Sequence, residues 1–105
     1  MTDCLIILNL FGYMVYKRII IRGRVQGVYF RASAKEKASA LGVGGEVRNL
    51  EDDSVEVLVA GNEHSVEQLI AWCRIGPTSA RVEEVVVSDI EPKEFDGFRV
   101  VRRWG

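Results

Sequence analysis

Between Gly23 and Arg31 the chain reads GRVQGVYFR. No proline interrupts it, so every residue offers a backbone N–H. Gly23 and Gly27 allow a tight path that turns several of those groups inward. A helix predicted to start near Phe30 aims the positive end of its dipole at the same hollow. Inward N–H groups and a helix N-terminus together make an anion site. Arg31, at that helix start, can lay a planar guanidinium fork on two phosphate oxygens. Residue types alone fit equally a glycine-permitted tight connection followed by a solvated arginine. Asn49 closes the segment GEVRN at 45–49. By itself it reads as a turn residue ahead of Glu51-Asp52-Asp53, where Asn is common.

Other chemistry is excluded or weak. Neither GxxxxGK[ST] nor GxGxxG occurs, so no nucleotide-type phosphate loop is present. The chain's one histidine, His64, excludes a His-rich metal site and reads as a polar residue in the first turn of a second helix. Cys4 and Cys73 are too few for a disulfide scaffold and lack CxxC spacing; Cys73 reads as a small core residue and Cys4 as incidental. Glu51-Asp52-Asp53 reads as a solvated turn tip, not a cation site. Arg99 falls in the last strand, and Arg102, Arg103 and Trp104 read as a solvated end.

The elements that must hold these residues follow from periodicity. RIIIRGR at 18–24 is a β-branched strand, which MVYKRIII lets start at Met14. Residues 30–41 place Phe30, Ala34, Ala38 and Leu41 on one helical face, with Gly42 as the stop. A short strand over 46–50, the acidic turn and a strand over 54–60 make a hairpin, with Val55, Val57 and Val59 on one face. By alternation, Glu46 and Arg48 face away from Val47 and Asn49. Val66, Leu69, Ile70 and Cys73 stripe a second helix that begins near Asn62–Ser65 and ends at Gly76-Pro77. Strands follow over 81–90 and, after an Asp96-Gly97 turn, over 98–101. The order β-α-β-β-α-β predicts a ferredoxin-like α/β (α+β) sandwich, an antiparallel sheet with both helices on one face. The first and third strands are expected at its centre, with the Asn49 strand at the edge beside the first.

GRVQGVYFR at 23–31 resembles the signature of the acylphosphatase family, and GEVRN at 45–49 resembles that family's second motif, in which an asparagine closes a strand. SVEVLVAG, AWCRIGP and ARVEEVVV are similar as well, so the likeness spans about 18–103. The resemblance implies metal-independent hydrolysis of acyl phosphates to carboxylate and inorganic phosphate, with no cofactor. It implies that Arg31 binds the phosphoryl group together with main-chain groups of Arg24, Val25, Gln26, Gly27, Val28, Tyr29 and Phe30. It further implies that Asn49 positions and polarises the attacking water. Chemistry agrees: a carboxylate leaves without a general acid, so the protein needs only to hold oxygens, neutralise charge and orient water. The sequence departs from the family at Glu46, usually aromatic, at Glu51-Asp52-Asp53, usually Pro-Asp-Gly, and at Tyr29, often small.

Length and charge bound the rest. One domain fits in 105 residues, and a net charge of -1 gives no broad field for nucleic acid or anionic membrane. Residues 4–16 hold eleven apolar residues in thirteen, short of the about 20 that span a bilayer, and nothing basic precedes Lys17. We therefore expect an N-terminal extension at 1–16 and an acylphosphatase-like domain at 17–105. We expect a cytoplasmic monomer acting on a small molecule, with no nucleic acid and no membrane partner. The rival reading is a non-enzymatic ferredoxin-like ligand- or RNA-binding module, which would need exposed aromatics on the open sheet face.

Overall fold

The computed structural model describes residues 14–102. Expectations for residues 1–13, Cys4, Arg103 and Trp104 lie outside the described residues. The elements run β1 (Met14–Arg24), α1 (Phe30–Leu41), β2 (Gly44–Asn49), β3 (Val55–Asn62), α2 (Glu63–Cys73), β4 (Arg81–Asp89) and β5 (Phe98–Val101). They form one five-stranded sheet in the order β4-β1-β3-β2-β5.

Strand alternation explains the two layers. Ile19, Ile21, Val47, Val55, Val57 and Val59 are fully buried beneath the helices. From above, α1 contributes Phe30, Ala34 and Ala38, and α2 contributes Val66, Leu69 and Cys73. Each such Val, Leu or Ile is worth about 1.5–3 kcal/mol once removed from water. The open face carries charge instead. Glu56, 3% exposed, accepts from Arg18 at 2.6 Å and from Arg48 at 2.7 Å. Two guanidinium partners meet the cost of burying that carboxylate. Glu46 lies on the same face, 3.9 Å from Lys93, away from the helix layer. Tyr29 is the exposed aromatic among the described residues, and it caps a helix; on the open face Tyr16 is half-buried and lines a cavity with Phe95.

The expected sandwich is present, with two differences in the sheet. β2 does not lie beside β1 at the edge; it pairs with β3 on one side and β5 on the other. The five-residue turn over 50–54 holds β2 against β3, while β1 takes the other side of β3 and pairs outward with β4. The sheet is also mixed, because β5 adds to β2 in parallel. That follows from the path of residues 90–97, pinned by Ile90 N–H to the Tyr16 carbonyl (3.1 Å) and by Gly45 N–H to the Gly97 carbonyl (2.9 Å). Since β1 and β2 both run antiparallel to β3, they are parallel to one another. The C-terminal ends of β1, β2 and β5 therefore share one end of the sheet.

Candidate active site

That shared end is where the sequence placed its chemistry. Gly23 begins the construction with a bulge, where the β1–β4 register shifts between Arg22 and Gly23. At φ +130 a Cβ on Gly23 would press closer than 3.0 Å to the Arg81 carbonyl oxygen, so only glycine fits. Beyond it Val25 and Val28 are buried, anchoring the loop, while Gly27 and Tyr29 are exposed. Gly27 serves differently: it has open space around it but φ +73.

Tyr29 then takes φ 63, ψ 21 as the cap residue of α1, with no side-chain capping bond and no acid in the first turn. A left-handed non-glycine residue costs roughly 1–2 kcal/mol. The first helical bond runs from Ser33 N–H to the Tyr29 carbonyl at 3.0 Å. The N–H groups of Phe30, Arg31 and Ala32 therefore have no acceptor within the helix. Nor does any N–H of residues 25–29 make a well-formed backbone hydrogen bond among the described residues. A run of free donors thus meets the positive pole of a twelve-residue helix.

A cavity of about 440 Å³ opens there, lined by Val25, Gly27, Tyr29, Phe30, Arg31, Ala32, Asn49, Val100 and Arg102. Arg31 is half-buried, and its guanidinium forms no ion pair among the described residues. Asn49 comes from the end of β2, on the helix side of the sheet with Val47. Its Oδ1 is buried and accepts no hydrogen bond, a state that costs about 1–3 kcal/mol unless a ligand or water meets it. Arg31 and Asn49 are thus brought to one cavity. Arg24, Gln26 and Val28 do not line it. Arg24 pairs with Arg81 in the ladder. Gln26 turns its carboxamide away: Nε2 donates to the Leu50 and Ser54 carbonyls, each at 2.8 Å.

The turn after Asn49 is tightly built. Asp52 accepts from both the N–H and the hydroxyl of Ser54, and Asp53 takes φ 71. The Ser54 hydroxyl, followed by its N–H, holds the Asp52 carboxyl below the usual carboxylate range. Val100 and Arg102 escaped the sequence reading as lining residues. Their signal was the parallel β5, which no local pattern reveals.

The other reactive side chains among the described residues lie elsewhere. His64 follows the far end of β3, at the opposite end of the sheet. Cys73 is enclosed in the core, where burial pushes its thiol up to about 12. No group of three or more metal-ligating side chains occurs among the described residues. No described helix is long and apolar enough to cross a membrane.

Known proteins carry the same frame. The family model described as Acylphosphatase matches residues 17–100. An acylphosphatase from Aeropyrum pernix is 51% identical over 90 residues, covering 83% of this chain and 88% of that protein. Among solved structures, an acylphosphatase from Coxiella burnetii superimposes with a TM-score of 0.81 at 34% identity, covering 84% of this chain and 93% of its own. One from Bacillus subtilis gives 0.79 at 31% identity, over 83% and 98%.

Proposed function

The chain belongs to the acylphosphatase family, and on that premise we propose how its residues hydrolyse the carboxyl-phosphate bond. The free N–H groups of the cavity-lining residues Val25, Gly27, Tyr29, Phe30, Arg31 and Ala32, with the Arg31 guanidinium, hold the phosphoryl oxygens. Charge developing on those oxygens meets donors already in place, so little reorganisation is needed. Asn49 Oδ1 accepts one O–H of a water and aims its lone pair at phosphorus. As the water oxygen bonds to phosphorus, the bond from phosphorus to the acyl oxygen breaks, and the electron pair leaves with the carboxylate. The water's proton passes to a phosphoryl oxygen of the substrate. Asn49 has no basic atom to receive it, and among the described residues no carboxylate or imidazole lines the cavity.

One observation carries this reading: an unpaired guanidinium and an unsatisfied buried carboxamide oxygen line the same cavity at an uncapped helix start. The reading calls for no metal ion. It takes the chain as a cytoplasmic monomer whose catalytic domain is residues 17–105. The rival binding module is less well supported, since ion pairs around Glu56 occupy the middle of the open face and Tyr16 there is only half-exposed.

Benzoyl phosphate supplied with EDTA tests it. We expect turnover, competitive inhibition by inorganic phosphate, and a rate that is flat from about pH 5 to 7. A steep limb within that range would overturn the transfer of the proton to a substrate oxygen. Salt-sensitive RNA retention without hydrolysis would favour the binding module.

A further inference from the structure

The phosphate loop and the Asn49 strand have no ladder between them. β1 and β2 are separated in the sheet by β3, and neither pairs with the other. Both strands are laddered to β3, where Val55 pairs with Ile21 and with Asn49, so the sheet sets the strands themselves. Past Arg24, however, the loop makes no backbone hydrogen bond to β2 or its turn among the described residues, so a link from the loop to Asn49 falls to side chains. Gln26 supplies one. Its Nε2 spends both hydrogens on the Leu50 and Ser54 carbonyls, at 2.8 Å each and in a partly buried setting. Those carbonyls stand at the two ends of the turn that begins one residue after Asn49.

We infer that Gln26 is a positioning residue, a clamp that sets Asn49 against the phosphate cradle. The inference rests on the acylphosphatase reading of Asn49. The turn itself does not need the clamp. Ser54 O already accepts from Leu50 N–H at 2.9 Å, and Leu50 O from Asp53 N–H at 3.3 Å. Losing Gln26 therefore orphans neither carbonyl and leaves the hairpin closed. A second link, Arg22 Nη1 to Asp52 Oδ2 at 3.2 Å, joins two exposed side chains and is screened by water. The carboxamide clamp is the drier and more directional of the two. It also lies behind the cavity wall, so it tunes geometry without touching substrate.

The test is a double-mutant cycle on the full chain with benzoyl phosphate, using Gln26→Met, Asn49→Ala and the pair. Methionine keeps the length and removes both donors. We expect Gln26→Met to lower kcat about 10- to 100-fold, the scale of a small misplacement. KM and the inhibition constant of inorganic phosphate should move less than about 3-fold, because Arg31 and the free N–H groups remain. In the Asn49→Ala background the same change should cost less than about 2-fold, since the group it positions is gone. The side-chain amide resonances of Asn49 should shift in Gln26→Met while phosphate still perturbs the amides of residues 27–32. An equal loss of kcat in both backgrounds overturns the inference, as does a loss matched by phosphate affinity. So does a loss that vanishes below the unfolding transition. If wild type leaves benzoyl phosphate intact, the functional reading falls and the clamp with it. If wild type turns over and Asn49→Ala abolishes it, yet Gln26→Met matches wild type, the clamp alone falls.

Discussion

In the proposed mechanism Arg31 and Asn49 divide the work by when each is needed. There the guanidinium meets a charged phosphoryl group in the bound state and in the transition state alike. Its two charge-assisted bonds are worth about 1.5–3 kcal/mol each. Arg31→Ala should therefore weaken phosphate inhibition by about 100-fold or more and lower kcat/KM further. On the same proposal Asn49 acts on water, which bears on the rate but hardly on phosphate affinity. Asn49→Ala should lower kcat about 10²–10³-fold, the cost of one well-placed polar group, with phosphate inhibition within about 3-fold of wild type. Steady-state kinetics with phosphate as inhibitor separates the two. Full turnover in Asn49→Ala would remove it from the mechanism.

At the scale of elements, the site is a set of backbone departures held by regular structure. Among the described residues two that are not glycine occupy left-handed backbone: Tyr29 at the helix cap and Asp53 in the turn. They differ in what surrounds them. Tyr29 lines the cavity, so its backbone shapes the cradle. Asp53 is exposed on a tip and lines none of the cavity. Replacing it by glycine removes a left-handed penalty of about 1–2 kcal/mol and adds a chain-entropy cost of about 0.5–1 kcal/mol. Asp53→Gly should thus stabilise the fold by about 0–1.5 kcal/mol with kcat unchanged, read by denaturant unfolding and the benzoyl-phosphate assay. A loss of stability would show that Asp53 contributes something beyond its φ.

For the whole molecule, Cys73 ties stability to alkaline pH. Burial raises its thiol from 9.0 to about 12, so the folded state keeps the proton while the unfolded chain releases it. With the folded value above the unfolded one, the stabilisation is complete below pH 9 and is lost as pH rises from there toward 12. Each pH unit in that window costs about 1.4 kcal/mol for this group. Urea unfolding at pH 8 and pH 10 should show a drop that is smaller in Cys73→Ala, although that variant starts lower because of the cavity it leaves. Identical drops would mean the thiol titrates freely in the native state. Asp52 works at the acid end: its lowered carboxyl favours the fold above the ordinary carboxylate range, a contribution lost as pH falls through its folded value.

What the residues determined unaided was local. Helix faces, the buried valines of β3 and a glycine-permitted loop leading Arg31 to a helix start were legible, because each depends on neighbours a few positions away; the roles of the loop and of Asn49 came from the family resemblance, since by residue type alone they fit a tight connection and a turn equally. Phe30–Leu41 and Phe98–Val101 stand where periodicity put them. What only the tertiary structure decided was adjacency. β2 went to the far side of β3, and β5 joined it in parallel, so Val100 and Arg102 came to wall the cavity and Gln26 had a gap to bridge. Strand order is set by the burial of whole faces and by hydrogen bonding between distant segments, here 24 and 28 residues apart for Gln26. A pattern with a period of two states which face a residue takes, and is silent about which strand lies next to it.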